Sequence, residues 1–140
     1  MTNDLIEQAE HSIHHVHELI LRVFTDADGI GAASLEPLMK VFAEDFSMMG
    51  ISAIPLNRAE VEQLFRGAVG ARAGLDIAIS DVHTVWQQAG LLAVSYVETH
   101  RLNGAEHSRL AVAILRGQPD GVEWVYLHET PLSREIRERA

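Results

Sequence analysis

The chain has 140 residues and a mass of 15.5 kDa, the size of one domain with a full hydrophobic core. The 11 Lys and Arg against 20 Asp and Glu give a formal net charge of −9, which disfavours nucleic acid and anionic membranes as partners. The sequence has no cysteine, which excludes disulfides, a thiolate nucleophile and cysteine-ligated zinc.

The start of the chain does not have the pattern of a signal peptide. Residues 1–10 contain acids and lack a basic stretch followed by an apolar run, so we expect no signal peptide. No apolar run approaches the ~20 residues that span a bilayer. We expect a cytoplasmic protein with one domain over residues 1–132 and a charged, frayed tail over residues 133–140.

Two helices are predicted first. From Asp4 to about Thr25, apolar residues recur every three or four positions, as on the buried side of an amphipathic helix. The Asp-Gly-Ile-Gly segment at residues 28–31 predicts a break. A short second helix follows, with Ser34 as its cap and Pro37 in its first turn.

In the rest of the chain, the spacing of the apolar residues changes from that of a helix to that of strands. A short strand is predicted at residues 46–49, and Asn57 and Glu60 have the capping-box spacing that begins a third helix. After Gly74, side chains alternate with a period of two between turn residues. This pattern predicts a four-stranded antiparallel meander, with strands near residues 75–87, 91–102, 105–117 and 122–130.

The turns also predict the strand register. If Asn103-Gly104 and Pro119-Asp120 are the central pairs of their turns, opposite charges meet across the strands. The predicted pairs are Arg101 with Glu106, Glu98 with Arg109, and Arg116 with Glu123. Three matched pairs favour this register over one shifted by a residue.

Strict alternation within this register predicts two different faces. We expect the helices to cover the aliphatic face, because burying apolar area is worth ~25 cal/mol per Å². That face carries Val82, Val97, Leu110, Val112, Ile114, Val125 and Leu127, with Ser80, Ser95, Thr99 and Glu129 around them. The other face carries Ile77, Ile79, His83, Tyr96, Glu98, Arg109, Trp124, Tyr126 and His128.

The second, mixed face has the composition of a partner interface, in which Tyr, Trp and Arg are enriched. The small side chains of Ala111 and Ala113 would leave room for a partner there. We therefore predict a homodimer through this outer face, with contacts from Tyr96, Arg109, Trp124, Tyr126 and His128. A site at the interface, which would add Asp81, His83 and Glu98, is the alternative interpretation.

The element order, the segment Phe42–Phe46 and the last strand, Trp124–Thr130, resemble the nuclear transport factor two-like superfamily over nearly the whole chain. Its members include ketosteroid isomerase, SnoaL-like polyketide cyclases, scytalone dehydratase, limonene epoxide hydrolase and the association domain of calmodulin-dependent kinase. The resemblance implies an α+β fold in which three N-terminal helices pack on a strongly curved, mostly antiparallel sheet around an apolar pocket. It implies little about the reaction, because the superfamily uses one fold for many purposes.

The residues of ketosteroid isomerase are missing. Its proton-moving acid would fall at or near Gly50, where this chain has no carboxylate. Its tyrosine on the first helix has no counterpart in the segment Val16–Ile20. Steroid isomerisation by the familiar residues is therefore not expected.

Two residues are candidates for catalysis. The resemblance implies that Val125, Leu127 and Glu129 point into the apolar pocket. Glu129 would then be a partly desolvated carboxyl group suited to moving protons. His17 lies on the buried side of the first helix and is its predicted partner. The predicted ligand-binding residues are Ser80, Ser95, Val97, Thr99, Leu110, Val112, Leu127, Phe24, Met48 and Phe65. The alternative is that Glu129 is a strand-end ion pair and His17 a core or rim histidine.

The histidines on the first helix allow a metal hypothesis. His11, His14, His15 and Glu18 are three or four residues apart and share a helix face. They lack the His-Glu-x-x-His order of zinc helices and have no identified ligand from elsewhere. An exposed polar face is the preferred interpretation, and no metal or organic cofactor is expected.

Two functions remain from the sequence. The first is an isomerase, cyclase or dehydratase that acts on a small apolar or amphipathic molecule, with Glu129 as acid or base. The second is a non-catalytic dimeric module for ligand binding or assembly.

Overall fold

The computed structural model describes residues 2–132, so the predicted frayed tail lies outside the described residues. The helices are α1 (Thr2–Thr25), α2 (Gly31–Val41) and α3 (Arg58–Gly67), with a short 3-10 turn at Ala27–Gly29. The strands are β1 (Phe42–Met49), β2 (Pro55–Asn57), β3 (Asp76–Gln88), β4 (Leu91–Leu102), β5 (Ala105–Gln118) and β6 (Gly121–Leu132).

The six strands form one sheet in the order β2-β1-β6-β5-β4-β3. All neighbouring pairs are antiparallel except β1 and β6, which run parallel. Helix α1 lies against the sheet, with Ala9, Ile13, Val16 and Val23 fully buried. The predicted fold class, three helices packed on a mostly antiparallel sheet around an apolar pocket, is confirmed.

Helix α2 begins three residues before the predicted cap. The carboxylate of Asp26 accepts a hydrogen bond from the backbone N–H of Gly31 at 2.8 Å, which satisfies a free amide at the start of the helix. Ser34 is therefore inside the helix, and its hydroxyl donates to the carbonyl of Ile30. Pro37 also lies inside the helix rather than in its first turn.

The capping box of α3 is confirmed. The side chain of Asn57 accepts from the backbone N–H of Glu60, and the side chain of Glu60 accepts from the backbone N–H of Asn57. Strand β1 is longer than predicted and begins at Phe42, because Phe42 already pairs with Trp124 of β6.

The predicted strand register is confirmed at its three charged pairs. Strands β4 and β5 pair Arg101 with Glu106 and Glu98 with Arg109, and strands β5 and β6 pair Arg116 with Glu123. The guanidinium of Arg116 donates to Glu123 at 2.7 Å. The Asn-Gly and Pro-Asp turns therefore set the pairing as the sequence predicts.

The predicted assignment of faces is wrong for β4 and β5. The helices cover Leu92, Val94, Tyr96 and Glu98 on β4 and Ala111, Ala113 and Leu115 on β5. The aliphatic residues predicted to be inside, Val97, Leu110, Val112 and Ile114, lie on the outer face, where Leu110 is 39% exposed. The mixed face is the inner one because its alanines leave room for large neighbours, with Ala111 paired to both Tyr96 and Glu129.

A β-bulge explains why the predicted facing of side chains in β6 is correct for some residues and wrong for others. Leu115 pairs with Trp124, but Ile114 pairs with Tyr126, so Val125 is an extra residue in β6. The bulge reverses the side-chain alternation, so that Trp124 before it and Leu127 after it both point inward. Trp124, predicted to face outward, is fully buried and donates from its indole N–H to the Ser12 hydroxyl at 2.9 Å.

The first half of β3 shows the same reversal of faces, up to the register shift between Ser80 and His83. Ile77 and Ile79, predicted to be outside, pack against the core, while Ser80 is exposed beside Val97. Val82 packs against the core as predicted.

None of the three helices within residues 2–132 combines the length and the apolar character needed to cross a membrane.

Candidate functional site

The inner face of the sheet and the helices enclose a cavity of about 130 Å³. Most of its wall is apolar, and its polar groups come from one end. The lining residues are Val16, His17, Ile20, Phe24, Phe42, Met48, Leu64, Phe65, Glu98, His100, Arg109, Trp124, Leu127 and Glu129.

The polar end is assembled from four elements. His17 projects from the buried side of α1, and the alternation of β4 turns both Glu98 and His100 inward. Arg109 is paired with Glu98 across β4 and β5, and Glu129 follows on β6 after the bulge. Residues that are far apart in sequence therefore meet because the sheet register and the bulge bring them to one side.

Glu98 accepts hydrogen bonds from its neighbours at this end. Its side chain is 4% exposed. One carboxylate oxygen lies 3.1 Å from Nε2 of His17, the other is bonded to Nε2 of His100, and a further hydrogen bond links it to Glu129. Burial alone would raise the pKa of Glu98, but the bonds from His100 and His17 outweigh burial and hold it well below its usual range.

Both buried histidines are held by hydrogen bonds at each ring nitrogen. Nδ1 of His17 lies 2.7 Å from the carbonyl oxygen of Ile13 and donates to it. Nε2 of His17 lies 3.1 Å from the Glu98 carboxylate and 3.4 Å from the Tyr96 hydroxyl. Nδ1 of His100 lies 3.5 Å from Nη1 of Arg72 and accepts from the guanidinium.

The pKa of Glu129 is shifted in the opposite direction to that of Glu98. Its side chain is 9% exposed, and burial, followed by the negative charge of Glu98, raises its pKa to about 8. Glu129 is therefore mainly protonated at neutral pH and donates its hydrogen to Glu98. The same buried setting, followed by the charge of Glu98, raises the pKa of Tyr96 well above its usual value.

Arg109 is the cation nearest to Glu129. Its Nη1 lies 3.7 Å from Oε1 of Glu129, a long separation for an ion pair. Its Nε atom is buried and has no hydrogen-bond partner within the part of the chain that the structure describes. A buried N–H group that donates to nothing is costly.

The structure brings together only some of the predicted site residues. Glu129, His17, Phe24, Met48, Phe65 and Leu127 line the cavity. Ser80, Ser95, Val97, Thr99, Leu110 and Val112 do not, because they lie on the outer face of the sheet. The catalytic roles of Glu129 and His17 remain predictions.

The predicted dimer contacts are divided between the two faces. Tyr96, Arg109 and Trp124 point inward and cannot form a surface, whereas Tyr126 and His128 lie on the outer face. The Tyr126 hydroxyl and Nδ1 of His128 are 2.8 Å apart there. The alternative interface site is divided as well, because Glu98 is buried while Asp81 and His83 are exposed.

The histidines predicted as a polar face of α1 are exposed. The rings of His11 and His15 stack at 6.0 Å, and His15 is 4.0 Å from Glu18, which is also exposed. Among residues 2–132, no group of three or more His, Asp or Glu side chains has the arrangement of a metal site.

The sequence interpretation missed Glu98, His100 and Arg109 as cavity residues. A signal for them was present, because Glu98 and Arg109 were correctly paired across two central strands. Ala111 and Ala113 lie on the same face of β5 as Arg109. Their small side chains indicated that this face leaves space for a helix to pack on it. The larger aliphatic residues of the opposite face outweighed that signal.

What this site can do is transfer a proton. It places a neutral carboxyl group, an ionised carboxylate and an arginine in the wall of a mainly apolar cavity. One carboxyl group that is protonated beside one that is not is the usual arrangement of an acid–base pair.

Comparison with known proteins gives structural matches only. No family model and no curated protein matches the chain by sequence. An NTF2-like protein of unknown function from Pseudomonas aeruginosa matches with a TM-score of 0.83 and 28% identity, over 90% of this chain and 99% of that one.

Two further structures have informative descriptions. A protein from Thiobacillus denitrificans, provisionally described as a calcium/calmodulin-dependent protein kinase type II association domain, matches with a TM-score of 0.62 and 27% identity, over 78% of this chain and 90% of that one. A protein from Streptomyces avermitilis, provisionally described as a dehydratase of the NTF2-like family, has a TM-score of 0.70 and 18% identity, over 95% and 99% of the two chains. The second likeness concerns the fold alone.

Proposed function

We propose that this chain, which belongs to the nuclear transport factor two-like superfamily, is an enzyme that moves a proton on a small amphipathic molecule without a cofactor. The observation that carries the proposal is the buried carboxyl group of Glu129 in a mainly apolar cavity wall beside Glu98, where burial and the charge of Glu98 raise its pKa to about 8. A carboxyl group with a pKa near neutrality both gives and takes protons efficiently. The reaction class is isomerisation, cyclisation or dehydration.

Glu129 carries the proton in this mechanism. In a dehydration, it gives its proton to the hydroxyl oxygen of the substrate as the C–O bond breaks. The resulting carboxylate takes a proton from the neighbouring carbon as the double bond forms. Water leaves, and Glu129 returns to its protonated state. In an isomerisation, the same group gives a proton to one substrate atom and takes one from another.

The neighbours of Glu129 hold it in position and offset its charge. His17 and His100 fix Glu98, which in turn accepts the hydrogen of Glu129. When Glu129 is briefly ionised, Arg109 is the nearby cation that compensates its charge. His17 is therefore a positioning residue that acts through Glu98.

The proposal is tested by titrating the side-chain carboxyl carbons by NMR. We expect Glu129 to titrate near pH 8, because of its burial and the charge of Glu98. In the Glu98→Gln variant, the pKa of Glu129 should fall, because one neighbouring negative charge is removed. A midpoint for Glu129 equal to the ordinary value of 4.5 would contradict the proposal.

A homodimeric assembly module is the second candidate function. The outer sheet face supports it, because Trp86 and Leu110 are 48% and 39% exposed and Val97, Val112 and Ile114 are near Leu110. The resemblance to the association domain from Thiobacillus denitrificans points in the same direction. In this proposal, a second copy of the chain covers the outer face, and the cavity has only a structural role.

A further inference from the structure

Gly50 leaves a space beside the carboxyl group of Glu129. A Cβ atom at Gly50 would lie 3.5 Å from Oε1 of Glu129 and 3.7 Å from Cε of Met48. Apart from its chain neighbours, no other atom in the described part of the chain would lie within 4 Å of that Cβ. Glu129 and Met48 both line the cavity, and Gly50 is half-buried. The missing side chain therefore leaves room for an atom of a ligand next to Oε1.

We infer that the cavity takes a neutral alcohol or ketone of about benzene's size, whose oxygen occupies the space at Gly50 and forms a hydrogen bond with Oε1 of Glu129. Oε1 has the capacity for this bond, because Nη1 of Arg109 is 3.7 Å away from it, beyond hydrogen-bond distance. A carboxyl group both donates and accepts, so hydroxyl and carbonyl oxygens are suitable partners. The inference rests on the proposed function, because it names the substrate class of the same site.

The polar end of the cavity disfavours a charged ligand. Glu98 and Arg109 are paired across β4 and β5 and both line the cavity, so an ion of either sign meets a group of its own sign there. An ion would also lose its hydration in a wall that is mainly apolar, which is costly. A neutral oxygen avoids both penalties.

The remainder of the cavity determines the body of the ligand. Away from the polar end, the wall consists of Phe24, Phe65, Ile20, Met48 and Leu127, which favour an aliphatic or aromatic group. The volume of about 130 Å³ is close to the ~150 Å³ of a cavity that holds benzene. The ligand is therefore a single ring or a short branched chain, and a fused-ring molecule does not fit.

The test compares three probes that share a six-membered ring. Cyclohexanol has the inferred size and charge, 2-decalol adds a fused second ring, and cyclohexanecarboxylate adds a charge. Each is titrated into the full chain at pH 7 while the methyl resonances of Leu127 and Ile20 and the backbone amide resonance of Gly50 are followed by NMR. We expect cyclohexanol to shift all three and to bind at least about tenfold more tightly than the other two, because they add a steric clash or the burial of an ion.

Variants at two glycines locate the oxygen. Neither Gly50 nor Gly67 has a positive φ, so a side chain strains neither backbone. Gly50→Val fills the space beside Glu129 and should weaken cyclohexanol about tenfold, since the hydrogen bond is lost, while benzene, which has no oxygen, stays within about twofold. Gly67→Val is the matched control, because a Cβ there meets no atom within 4 Å, and it should change neither affinity. If Gly50→Val does not fold, the smaller Gly50→Ala replaces it.

Four outcomes would overturn the inference. They are affinity for 2-decalol or cyclohexanecarboxylate equal to that for cyclohexanol, a Gly50 amide resonance that cyclohexanol leaves unchanged, wild-type affinity for cyclohexanol in the Gly50 variant that folds, and no binding of cyclohexanol up to about 50 mM, an affinity too weak for a substrate. These outcomes are separate from failure of the proposed function, because binding is read at Gly50 and requires no turnover. An ordinary pKa for Glu129 would remove the acid–base proposal even if cyclohexanol binds.

Discussion

The carboxyl group of Glu129 keeps its proton at neutral pH because it is buried and faces the charge of Glu98. Its pKa is about 8 in the folded chain, against an ordinary value of 4.5. Between these values, the folded state binds a proton that the unfolded state has lost. The contribution of Glu129 to stability therefore falls as the pH rises from about 5 to about 8. Glu98 has a lowered pKa and acts only at the acid end, where its contribution is lost as the pH falls.

This linkage predicts the behaviour of the Glu129→Gln variant. A Gln side chain is always neutral and can still donate to Glu98, so the variant should lack the loss of stability toward alkaline pH. Its free energy of unfolding, relative to wild type, should rise by a few kcal/mol between pH 5 and pH 9, as measured by urea denaturation. Glu44→Gln, at an exposed position, is the control and should show a constant offset. Curves that stay parallel for Glu129→Gln would contradict the prediction.

Individual residues were predictable from sequence to different degrees. His17 was found because it lies on the periodic apolar side of α1, and Glu129 because the family resemblance implies that it points inward; both line the cavity. Glu98 and Arg109 were assigned to the outer, partner-facing side, because the aliphatic face was expected to gain more from burial. Only the three-dimensional arrangement supplies Glu98 with donors from α1, its own strand and β6.

At the scale of elements, helix α3 depends on its capping box. Asn57→Ala removes the acceptor for the backbone N–H of Glu60 and should lower the free energy of unfolding by about 1 kcal/mol. Gln63→Ala, at an exposed position of the same helix, should change it by less than about 0.5 kcal/mol. Both values come from urea denaturation, and equal effects of the two variants would contradict the role of the cap.

The strand pairing was predictable because it follows from local turns and from charge pairs that are visible in the sequence. The facing of the strands was not, and Val125 shows why. A single extra residue in β6 reverses the alternation, and nothing in the sequence around Trp124 marks it. The same bulge is the reason that the prediction was right for Leu127 and Glu129 and wrong for Trp124.

At the scale of the whole molecule, the outer sheet face carries the dimer proposal. Leu110 lies on this face and is 39% exposed, so a charge there would be buried if a second copy covers it. Leu110→Glu should shift the protein from dimer toward monomer in analytical ultracentrifugation. Gln63→Glu adds the same charge on an exposed helical position and should leave the mass unchanged. A wild-type monomer, or a Leu110→Glu variant that remains dimeric, would contradict the proposal.

The parallel pairing of β1 with β6 also sets an order of events during translation. Ser47 has its neighbour at Tyr126, so most of the chain must leave the ribosome before the early strand acquires this partner. Such distant pairings slow folding, because the chain loses the entropy of closing a long loop before any stabilising contact forms. Until then, α1 lacks the strand that covers part of its buried side, although β3 and β4 also pack against it. The strand that delivers Glu129 is thus also the one that completes the sheet.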